Sequence, residues 1–387
     1  MQTFVAGNAI TLLRSGAEYF PAVTDAIYRA QRSVYIETYI FADDASGGRV
    51  ADALIAAAAR GVDVRVVIDG FGSKPYLTQT LMRRLRNADV LIVLYRQDVV
   101  RTAWRRARLR RLHRKVVVVD GACAFVGGIN LIDDMNTPGH TPPRVDFAIR
   151  VEGPIVGSIV AAATRLWRIL RLVQLDLPRL PPLQLEAVVA PRGNIKAKFV
   201  VRDNFRFRWQ IELAYLAALR VARNEVIIAN AYFFPGIRFR RALIAAVSRG
   251  ASVTLILQAR VEFRLLHYAT KALYGQLLAG GVHIVEYERS FLHAKVAVVD
   301  ASWATVGSSN IDPFSLLMAR EANVFVRDAD FAGNLRHELL KLKQDGGRAV
   351  DREVWENRGL ASRMVNWIAY GFARAMTGWL GGRTARW

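Results

Sequence analysis

The chain has 387 residues, of which 52% are hydrophobic and 22% charged, which excludes a disordered polar chain and predicts two or three folding units of about 150 residues each. It contains no uninterrupted run of about 18 apolar residues, so a membrane-spanning helix is not expected. A formal net charge of +21 predicts a negatively charged partner, and nucleic acid, an anionic membrane and phosphorylated substrates all fit that charge.

The chain consists of two similar halves with the same order of predicted elements. In the first half a helical pattern leads to the run SVYIET, an Ala-rich helix then ends at Arg60-Gly61, and the run VDVRVVID follows. The second half repeats this order with EVIIAN, a helix that ends at Arg249-Gly250, and ASVTLIL. Helices that alternate with short β-rich runs predict an α/β fold class. We expect two similar α/β sandwich lobes related by an internal repeat, each with a mostly parallel or mixed sheet.

The predicted organisation has four parts. Residues 1–176 form the first lobe, residues 177–195 a Pro-rich linker, residues 196–345 the second lobe, and residues 346–387 a basic, Trp-rich helical tail. The Arg-Gly pairs of the two halves lie 189 residues apart in the chain, whereas the histidines of their shared motif lie 180 residues apart. The first lobe therefore carries about nine extra residues between these two points. This insertion, between Arg96 and Arg111, is rich in arginine. It is either a solvated loop or a cationic collar that binds phosphate groups.

Each half contains the motif H-x-K-x4-D-x6-G-[GS]-x-N, with identical spacing in the two copies. Residues two apart on a strand point to the same face, so the His and Lys of each copy project together. A nitrogen nucleophile or acid beside a fixed cation suits chemistry on a phosphoryl group. The candidate catalytic residues are the His, Lys and Asp of the two copies: His113, Lys115, Asp120, His293, Lys295 and Asp300.

The downstream part of the motif supplies candidates for phosphate binding. Glycine lets a neighbouring backbone approach closely, and an Asn amide can donate to an oxyanion. The candidate phosphate-binding residues are Gly128, Asn130, Ser308, Ser309 and Asn310.

Acidic residues accompany both histidines. Asp120 and Asp300 follow their histidines by seven residues, and this odd spacing sends them to the opposite strand face, as expected of structural anchors. Glu321 follows His293 by 28 residues and Asp146 follows the first-lobe histidine by 33. Asp146 and Glu321 are the candidates to orient an imidazole and hold it in one tautomer.

The duplicated motif closely resembles that of the phospholipase D superfamily, and the resemblance covers residues 6 to about 326. Within that superfamily, ETYIF (37–41), DGFGS (69–73), LHRK (112–115), RVEGPIV (150–156), IANAYFFPG (228–236) and WATVGSSNIDP (303–313) are similar to bacterial cardiolipin synthases of the B type. Other cardiolipin synthases begin with two membrane-spanning helices, which are not expected here. Their absence favours the B type.

The resemblance implies a phosphatidyltransferase. One histidine attacks the phosphodiester, the other protonates the departing alcohol, and a covalent phosphatidyl-histidine is then attacked by a second alcohol. The implied donor is phosphatidylglycerol and the implied acceptor a second phosphatidylglycerol, with phosphatidylethanolamine or glycerol as substitutes. The lysines and asparagines would neutralise the phosphate, so no metal and no cofactor is expected. Which histidine attacks stays open, with His113 preferred.

The tail predicts a contact with an anionic membrane surface. Val365, Ile368, Phe372, Met376 and Trp379 fall near one helical face, among further aromatic and arginine residues. A helix that packs on the protein's own core is the alternative.

The predicted location is peripheral, on the cytoplasmic face of a bacterial cell membrane. The first residues lack the pattern of a secretion signal, and the single cysteine, Cys123, cannot form an internal disulfide. A nuclease of the same superfamily and a non-catalytic scaffold are the alternative functions. Nucleic acid is the less favoured partner, and the sequence does not indicate an oligomeric state.

Overall fold

The structure is a computed structural model that describes residues 3–96, 111–173, 180–203, 207, 209–260, 263–312 and 319–381, apart from the side chains of residues 173 and 377–381. Most of the predicted basic insertion falls on residues 97–110 and lies outside the described residues.

The strands are β1 (Val5–Arg14), β2 (Ser33–Thr38), β3 (Asp63–Asp69), β4 (Leu91–Tyr95), β5 (Arg111–Leu112), β6 (Val116–Val119), β7 (Cys123–Gly127), β8 (Arg144–Val145), β9 (Phe147–Glu152), β10 (Ile195–Arg202), β11 (Glu225–Asn230), β12 (Ser252–Gln258), β13 (His283–Tyr287), β14 (Phe291–Leu292), β15 (Lys295–Val299), β16 (Trp303–Gly307), β17 (Ala319–Arg327) and β18 (Gly347–Ala349). The helices are α1 (Ser15–Tyr28), α2 (Ala45–Ala59), α3 (Gln79–Asn87), α4 (Val156–Val173), α5 (Gln210–Val221), α6 (Ile237–Ser248), α7 (Arg264–Ala279), α8 (Ala329–Gly346), α9 (Arg352–Glu356) and α10 (Leu360–Gly381).

The two halves share one large mixed sheet. Its order is β18-β13-β12-β11-β15-β16-β17-β10-β1-β9-β7-β6-β2-β3-β4. In each half three strands are parallel: β2 pairs with β3 and β3 with β4 in the first half, and β11 pairs with β12 and β12 with β13 in the second. At the centre β1 pairs antiparallel with β10 and joins the halves edge to edge. The predicted α/β class and internal repeat are confirmed, and the continuous sheet is a feature that the repeat alone does not predict.

Local sequence explains where the repeated elements begin and end. The run SVYIET of β2 is buried along its whole length, as expected of a strand covered on both faces. Helix α2 begins where the Asp44 side chain accepts a hydrogen bond from the N–H of Gly47. It ends before Gly61, whose φ is +84°, and α6 ends before Gly250, whose φ is +97°. Glycine adopts this left-handed conformation without steric cost, so the predicted Arg-Gly helix ends are confirmed.

The Pro-rich segment is fixed on the first lobe. Residues 180–194 contain no helix or strand, and the buried Trp167 of α4 donates its Nε1 proton to the carbonyl oxygen of Pro181 at 2.8 Å. Arg65 of β3 donates to the same oxygen at 3.1 Å, and its guanidinium lies 5.0 Å from the Trp167 ring centroid. Side chains of the sheet and of α4 therefore hold the chain between the halves.

The tail helix α10 packs on α7 of the second lobe. It presents its small and polar residues to the protein, and Asn366, Ala369 and Ala373 are buried there. None of the described helices combines the length and hydropathy needed to cross a lipid bilayer.

Candidate active site

Two short strands cross between the lobes, and each leads to one of the motif histidines. β5 leads to His113 and pairs in parallel with β17, whereas β14 leads to His293 and pairs in parallel with β8. The backbone N–H of His113 donates to the carbonyl oxygen of Arg320 at 3.0 Å, and that of His293 donates to Val145 at 2.8 Å. The residues that follow these two acceptors are Glu321 and Asp146. Each histidine is therefore held beside a carboxylate of the opposite lobe.

The imidazoles are hydrogen-bonded to those carboxylates. Nδ1 of His113 lies 3.0 Å from Oε1 of Glu321, and Nδ1 of His293 lies 2.6 Å from Oδ2 of Asp146. A carboxylate at Nδ1 holds the ring proton there and leaves the lone pair on Nε2. Both histidines thus have the tautomer that a nucleophile or a general base requires.

This pairing corrects an expectation from the sequence. The spacing within each lobe associates Glu321 with His293 and Asp146 with His113, and the structure exchanges these partners. The physical reason is the crossing of β5 and β14, which carries each histidine to the other half. The two imidazoles and two carboxylates consequently form one group at the junction of the lobes.

Burial and neighbouring charges set the protonation of the group. Burial, with the charge of Lys295, lowers the pKa of His293 to about 3 against the opposite effect of Asp146. Burial also lowers the pKa of His113, although Glu321 acts in the other direction. Both imidazoles are therefore mainly neutral at neutral pH, which is the nucleophilic form.

The carboxylates remain ionised although they are buried. Burial alone would raise the pKa of Asp146, but Lys295 and His293 outweigh it and hold the pKa below its usual value. In the same way burial would raise the pKa of Glu321, and His113 and Arg202 hold it below its usual value. Each negative charge stabilises the positive charge that forms on its histidine during proton transfer.

The two motif lysines bring cations from both lobes to this group. Nζ of Lys115 donates to the carbonyl oxygen of His113 at 2.8 Å, and Nζ of Lys295 donates to that of His293. Lys295 also forms an ion pair with Asp146 at 3.5 Å. Burial lowers the pKa of Lys115 to about 7, and the charge of Lys295 adds to this effect. The charges of the two lobes therefore influence one another, as expected if both face a single site.

Asp120 and Asp300, which the sequence includes among the candidate catalytic residues, are not part of this group. Asp120 accepts hydrogen bonds from the backbone N–H groups of three consecutive residues, 31–33, at 2.8 to 2.9 Å. Asp300 accepts the equivalent bonds from residues 223–225, also at 2.8 to 2.9 Å. They fix the starts of β2 and β11, which is the anchor role that their odd spacing predicts.

Three candidate phosphate-binding residues support the carboxylates instead. Gly128 lies against Asp146 so closely that a Cβ atom there would collide with the carboxylate. The hydroxyl of Ser308 donates to Oε2 of Glu321. Ser309 accepts a hydrogen bond from Arg202 at 3.2 Å, and the Arg202 guanidinium lies 3.6 Å from Glu321. The downstream part of each motif therefore positions the groups that orient the histidines.

The two asparagines differ in their surroundings. Oδ1 of Asn130 accepts a hydrogen bond from the backbone N–H of Ile40 at 3.2 Å, so its NH₂ group is the part left for an anion. Asn310 is also buried, and its Oδ1 has no hydrogen-bond partner among the described residues.

Sequence reasoning missed several residues of the site. Asp69 accepts a hydrogen bond at 2.7 Å from the N–H of Leu112, directly before the first histidine, and the ring of Tyr39 lies 4.9 Å from that of His113. Arg202 is fully buried beside Glu321. A charged residue that ends an apolar strand, as in VVID and FVVR, is the signal that could have identified Asp69 and Arg202.

The chain matches a family model described as "Cardiolipin synthase, PLD-like domain" over residues 23–137 and 215–343. It is 38% identical to cardiolipin synthase B of Salmonella typhimurium over 98% of this chain and 91% of the relative. It is 39% identical to cardiolipin synthase B of Escherichia coli over 98% and 92%, and 30% identical to cardiolipin synthase A of Erwinia tasmaniensis over 95% and 76%.

Solved structures share the fold at low sequence identity. The crystal structure of phosphatidylserine synthase from Haemophilus influenzae has a TM-score of 0.70 at 14% identity, over 98% of this chain and 96% of that chain. Polyphosphate kinase from Porphyromonas gingivalis has a TM-score of 0.54 at 12% identity, over 95% and 53%. These two similarities concern the fold alone. The family model and the identity to its relatives, which extends over nearly the whole chain, show that this chain belongs to the cardiolipin synthase family with phospholipase D-like domains.

Proposed function

We propose that the protein is a phosphatidyltransferase that makes cardiolipin from phosphatidylglycerol and releases glycerol. The observation that carries this proposal is the pair of crossed hydrogen bonds, from Nδ1 of His113 to Glu321 and from Nδ1 of His293 to Asp146. They leave two Nε2 atoms available to one phosphodiester, one for attack and one for proton transfer. Family membership supplies the substrate class.

In the first step, Nε2 of one histidine attacks the phosphorus of phosphatidylglycerol. A nitrogen–phosphorus bond forms and the bond from phosphorus to the glycerol oxygen breaks. The other histidine must first bind a second proton at Nε2, and it donates that proton to the glycerol oxygen. The products are glycerol and a phosphatidyl-histidine. The carboxylate at each Nδ1 stabilises whichever imidazole is positive at that moment.

In the second step, a glycerol hydroxyl of another phosphatidylglycerol attacks the phosphorus. The acid–base histidine takes the hydroxyl proton, an oxygen–phosphorus bond forms, and the nitrogen–phosphorus bond breaks. Cardiolipin leaves and both imidazoles return to their starting state. Phosphatidylethanolamine or free glycerol are further reactants that this scheme accommodates.

Four side chains would neutralise the charge that develops on the phosphoryl oxygens. Lys115 and Lys295 supply positive charge, and the amides of Asn130 and Asn310 supply hydrogen-bond donors. Fixed cations are worth more in a buried site than in water, because little solvent screens them. The scheme therefore uses no cofactor.

A lipid substrate requires contact with the membrane, and α10 offers an apolar surface for it. The face of α10 that points away from α7 exposes Leu360, Met364, Trp367, Ile368 and Phe372, each with at least 58% of its surface accessible. Exposed arginines, Arg363 and Arg374, flank this face. Apolar and aromatic residues with arginines at their edge suit the headgroup layer of an anionic membrane.

Both interpretations of the tail have support in this arrangement, on different faces of the helix. Asn366, Ala369 and Ala373 attach α10 to the protein, while Val365, Ile368 and Phe372 of the predicted apolar face are exposed. The side chain of Trp379 lies outside the described residues. We propose that the protein attaches peripherally to the bacterial cell membrane, on its cytoplasmic face.

The direct test is to incubate the purified protein with phosphatidylglycerol vesicles and to separate the lipid products. We expect cardiolipin and glycerol in equal amounts. His113→Ala and His293→Ala should each reduce turnover by several orders of magnitude, because the two groups act as a unit. Cleavage of single-stranded DNA without any cardiolipin would instead favour a nuclease.

A further inference from the structure

A cleft lies in the second lobe, at the carboxyl ends of the parallel strands β11 and β12. Its volume is about 400 Å³, part of which is open to solvent. Apolar walls come from Phe233, Leu257 and Leu266, and the exposed Arg260 stands at its edge. Ligands of α/β proteins commonly bind at this edge of a sheet.

The last residue of β12, Gln258, lines this cleft with a buried amide. Gln258 is only 9% exposed, and neither its Nε2 nor its Oε1 has a hydrogen-bond partner among the described residues. Leaving a buried polar group without a partner costs about 1–3 kcal/mol. A ligand that both accepts and donates a hydrogen bond would remove that cost.

The first lobe shows what the equivalent position does when it has partners. Asp69 of β3 and Gln258 of β12 occupy equivalent positions in the two lobes. The first residue of β3, Asp63, pairs with the first residue of β2, and the first residue of β12, Ser252, pairs with the first residue of β11. Asp69 and Gln258 are the last residues of β3 and β12, which have the same length. Asp69 accepts hydrogen bonds from the N–H groups of Phe71, Gly72 and Leu112, all within the protein. In the second lobe, Gln258 has no such partner within the part of the chain that the structure describes.

The cleft is next to one catalytic histidine. β12, which ends at Gln258, contacts β14, which leads to His293. Ala231 of the cleft wall donates its N–H to the carbonyl oxygen of Ala294 at 2.9 Å, one residue after His293. Phe291 lies on the other side of His293, with 5.7 Å between the two ring centroids, and its ring stacks on that of His140 at 4.2 Å. Burial and the charge of Arg260, at the edge of the cleft, lower the pKa of His140.

The chemistry of the cleft selects between lipid head groups. A hydroxyl group both donates and accepts, so a polyol can satisfy the NH₂ and the carbonyl of Gln258 together. An ammonium group only donates, so it would leave the NH₂ group unpaired, and Arg260 would repel it. The apolar walls suit the carbon chain of a glycerol unit.

We infer that this cleft is the alcohol subsite of the transfer reaction, and that Gln258 binds a polyol head group there. The inference rests on the proposed function and adds to it the residue that selects the alcohol. The same subsite serves twice, because the departing glycerol and the incoming glycerol hydroxyl take the same position opposite the attacking histidine. It favours glycerol-type acceptors over ethanolamine.

The test measures how the covalent intermediate partitions between an alcohol and water. Vesicles of phosphatidylglycerol are incubated with isotopically labelled glycerol, and labelled phosphatidylglycerol is compared with phosphatidic acid. This ratio depends only on steps after the intermediate has formed, so a slower first step does not change it. We expect Gln258→Leu to lower the ratio about tenfold, the effect of losing roughly 1.4 kcal/mol of hydrogen bonding to the acceptor.

A second variant tests the selectivity. Gln258→Glu places a carboxylate where an ammonium group can pair with it, so labelled ethanolamine should gain at least about tenfold over glycerol as acceptor. The matched control is Gln276→Leu, an exposed glutamine of α7 outside the cleft, which should leave both ratios unchanged. Gln258→Leu should unfold at the wild-type temperature or above it, because it removes an unpaired buried amide.

The outcomes separate the two proposals. Cardiolipin formation by the wild type, with the same partition ratio in Gln258→Leu as in Gln276→Leu, would overturn the subsite and leave the proposed function intact. A wild type that forms neither cardiolipin nor labelled phosphatidylglycerol would overturn both.

Discussion

Nδ1 of His293 lies 2.6 Å from Oδ2 of Asp146, a carboxylate of the opposite lobe, and His113 has the mirror arrangement with Glu321. Neither lobe therefore contains a complete histidine and carboxylate pair. The paired arrangement forms where β5 and β14 cross, so it depends on the relative position of the two lobes, and we expect catalysis to depend on it as well.

Asp146→Asn should lower turnover about 100-fold or more, because the amide no longer stabilises the positive imidazole. The crossed pairing makes a further prediction: the substitution should alter the NMR signals and pKa of His293 and leave those of His113 in place. Glu321→Gln should do the reverse. With six histidines in the chain, substitution of each one in turn assigns the signals.

The control for these two variants is Glu152→Gln, on the strand that follows Asp146, where the carboxylate forms an ion pair with the half-exposed Arg150. It should change neither turnover nor the histidine signals. An effect of Asp146→Asn on His113 alone would contradict the crossed arrangement.

The value of kcat/KM should fall as the pH rises through about 7. Burial lowers the pKa of Lys115 from 10.5 to about 7, so the free enzyme carries the positive charge below that pH and loses it above. The neutral amine cannot neutralise phosphoryl oxygens, and kcat/KM reports the ionisation of the free enzyme. Because a bound phosphodiester stabilises the protonated lysine, kcat should fall only at higher pH. A kcat/KM that stays level up to the ordinary lysine pKa would contradict this prediction.

The lobes differ in one buried ion pair beside the first histidine. Arg114 donates to Glu37 at 2.9 Å, and both residues are buried. The second lobe has Ala294 and Ala229 at the equivalent positions, so both charged residues are replaced together. Removal of one partner leaves an uncompensated buried charge, whereas removal of both does not.

Glu37→Ala and Arg114→Ala should each lower the free energy of unfolding by about 3–5 kcal/mol, and the double variant should cost clearly less than the sum. Chemical denaturation measures all three. The exposed pair Arg150 and Glu152 serves as the control, with an expected coupling below about 1 kcal/mol. Additive effects of Glu37→Ala and Arg114→Ala would show that the buried pair is not coupled.

The sequence predicts the repeated fold well, because its signals are local. The Arg-Gly helix ends and the short β-rich runs depend only on neighbouring residues, and they recur in both halves. The exchange of Asp146 and Glu321 could not be predicted, since it depends on which way two-residue strands lead across the junction. Gln258 was missed for another reason: an unpaired amide is recognised only when the surroundings of the side chain are known.

The exposed face of α10 should determine binding to lipid vesicles. Replacing Trp367, Ile368 and Phe372 together by Ser removes most of its aromatic and aliphatic surface, and these side chains are 58–65% exposed. Each fully buried side chain of this size contributes roughly 1.5–3 kcal/mol on transfer from water, so sedimentation with phosphatidylglycerol vesicles should fall by at least tenfold. Folding should be unaffected, because the residues that attach the helix, such as Ala369 and Ala373, are retained. The matched control replaces Tyr28, Leu213 and Val221, exposed apolar residues of α1 and α5, by Ser. If both triple variants bind vesicles equally well, the membrane contact lies elsewhere on the molecule.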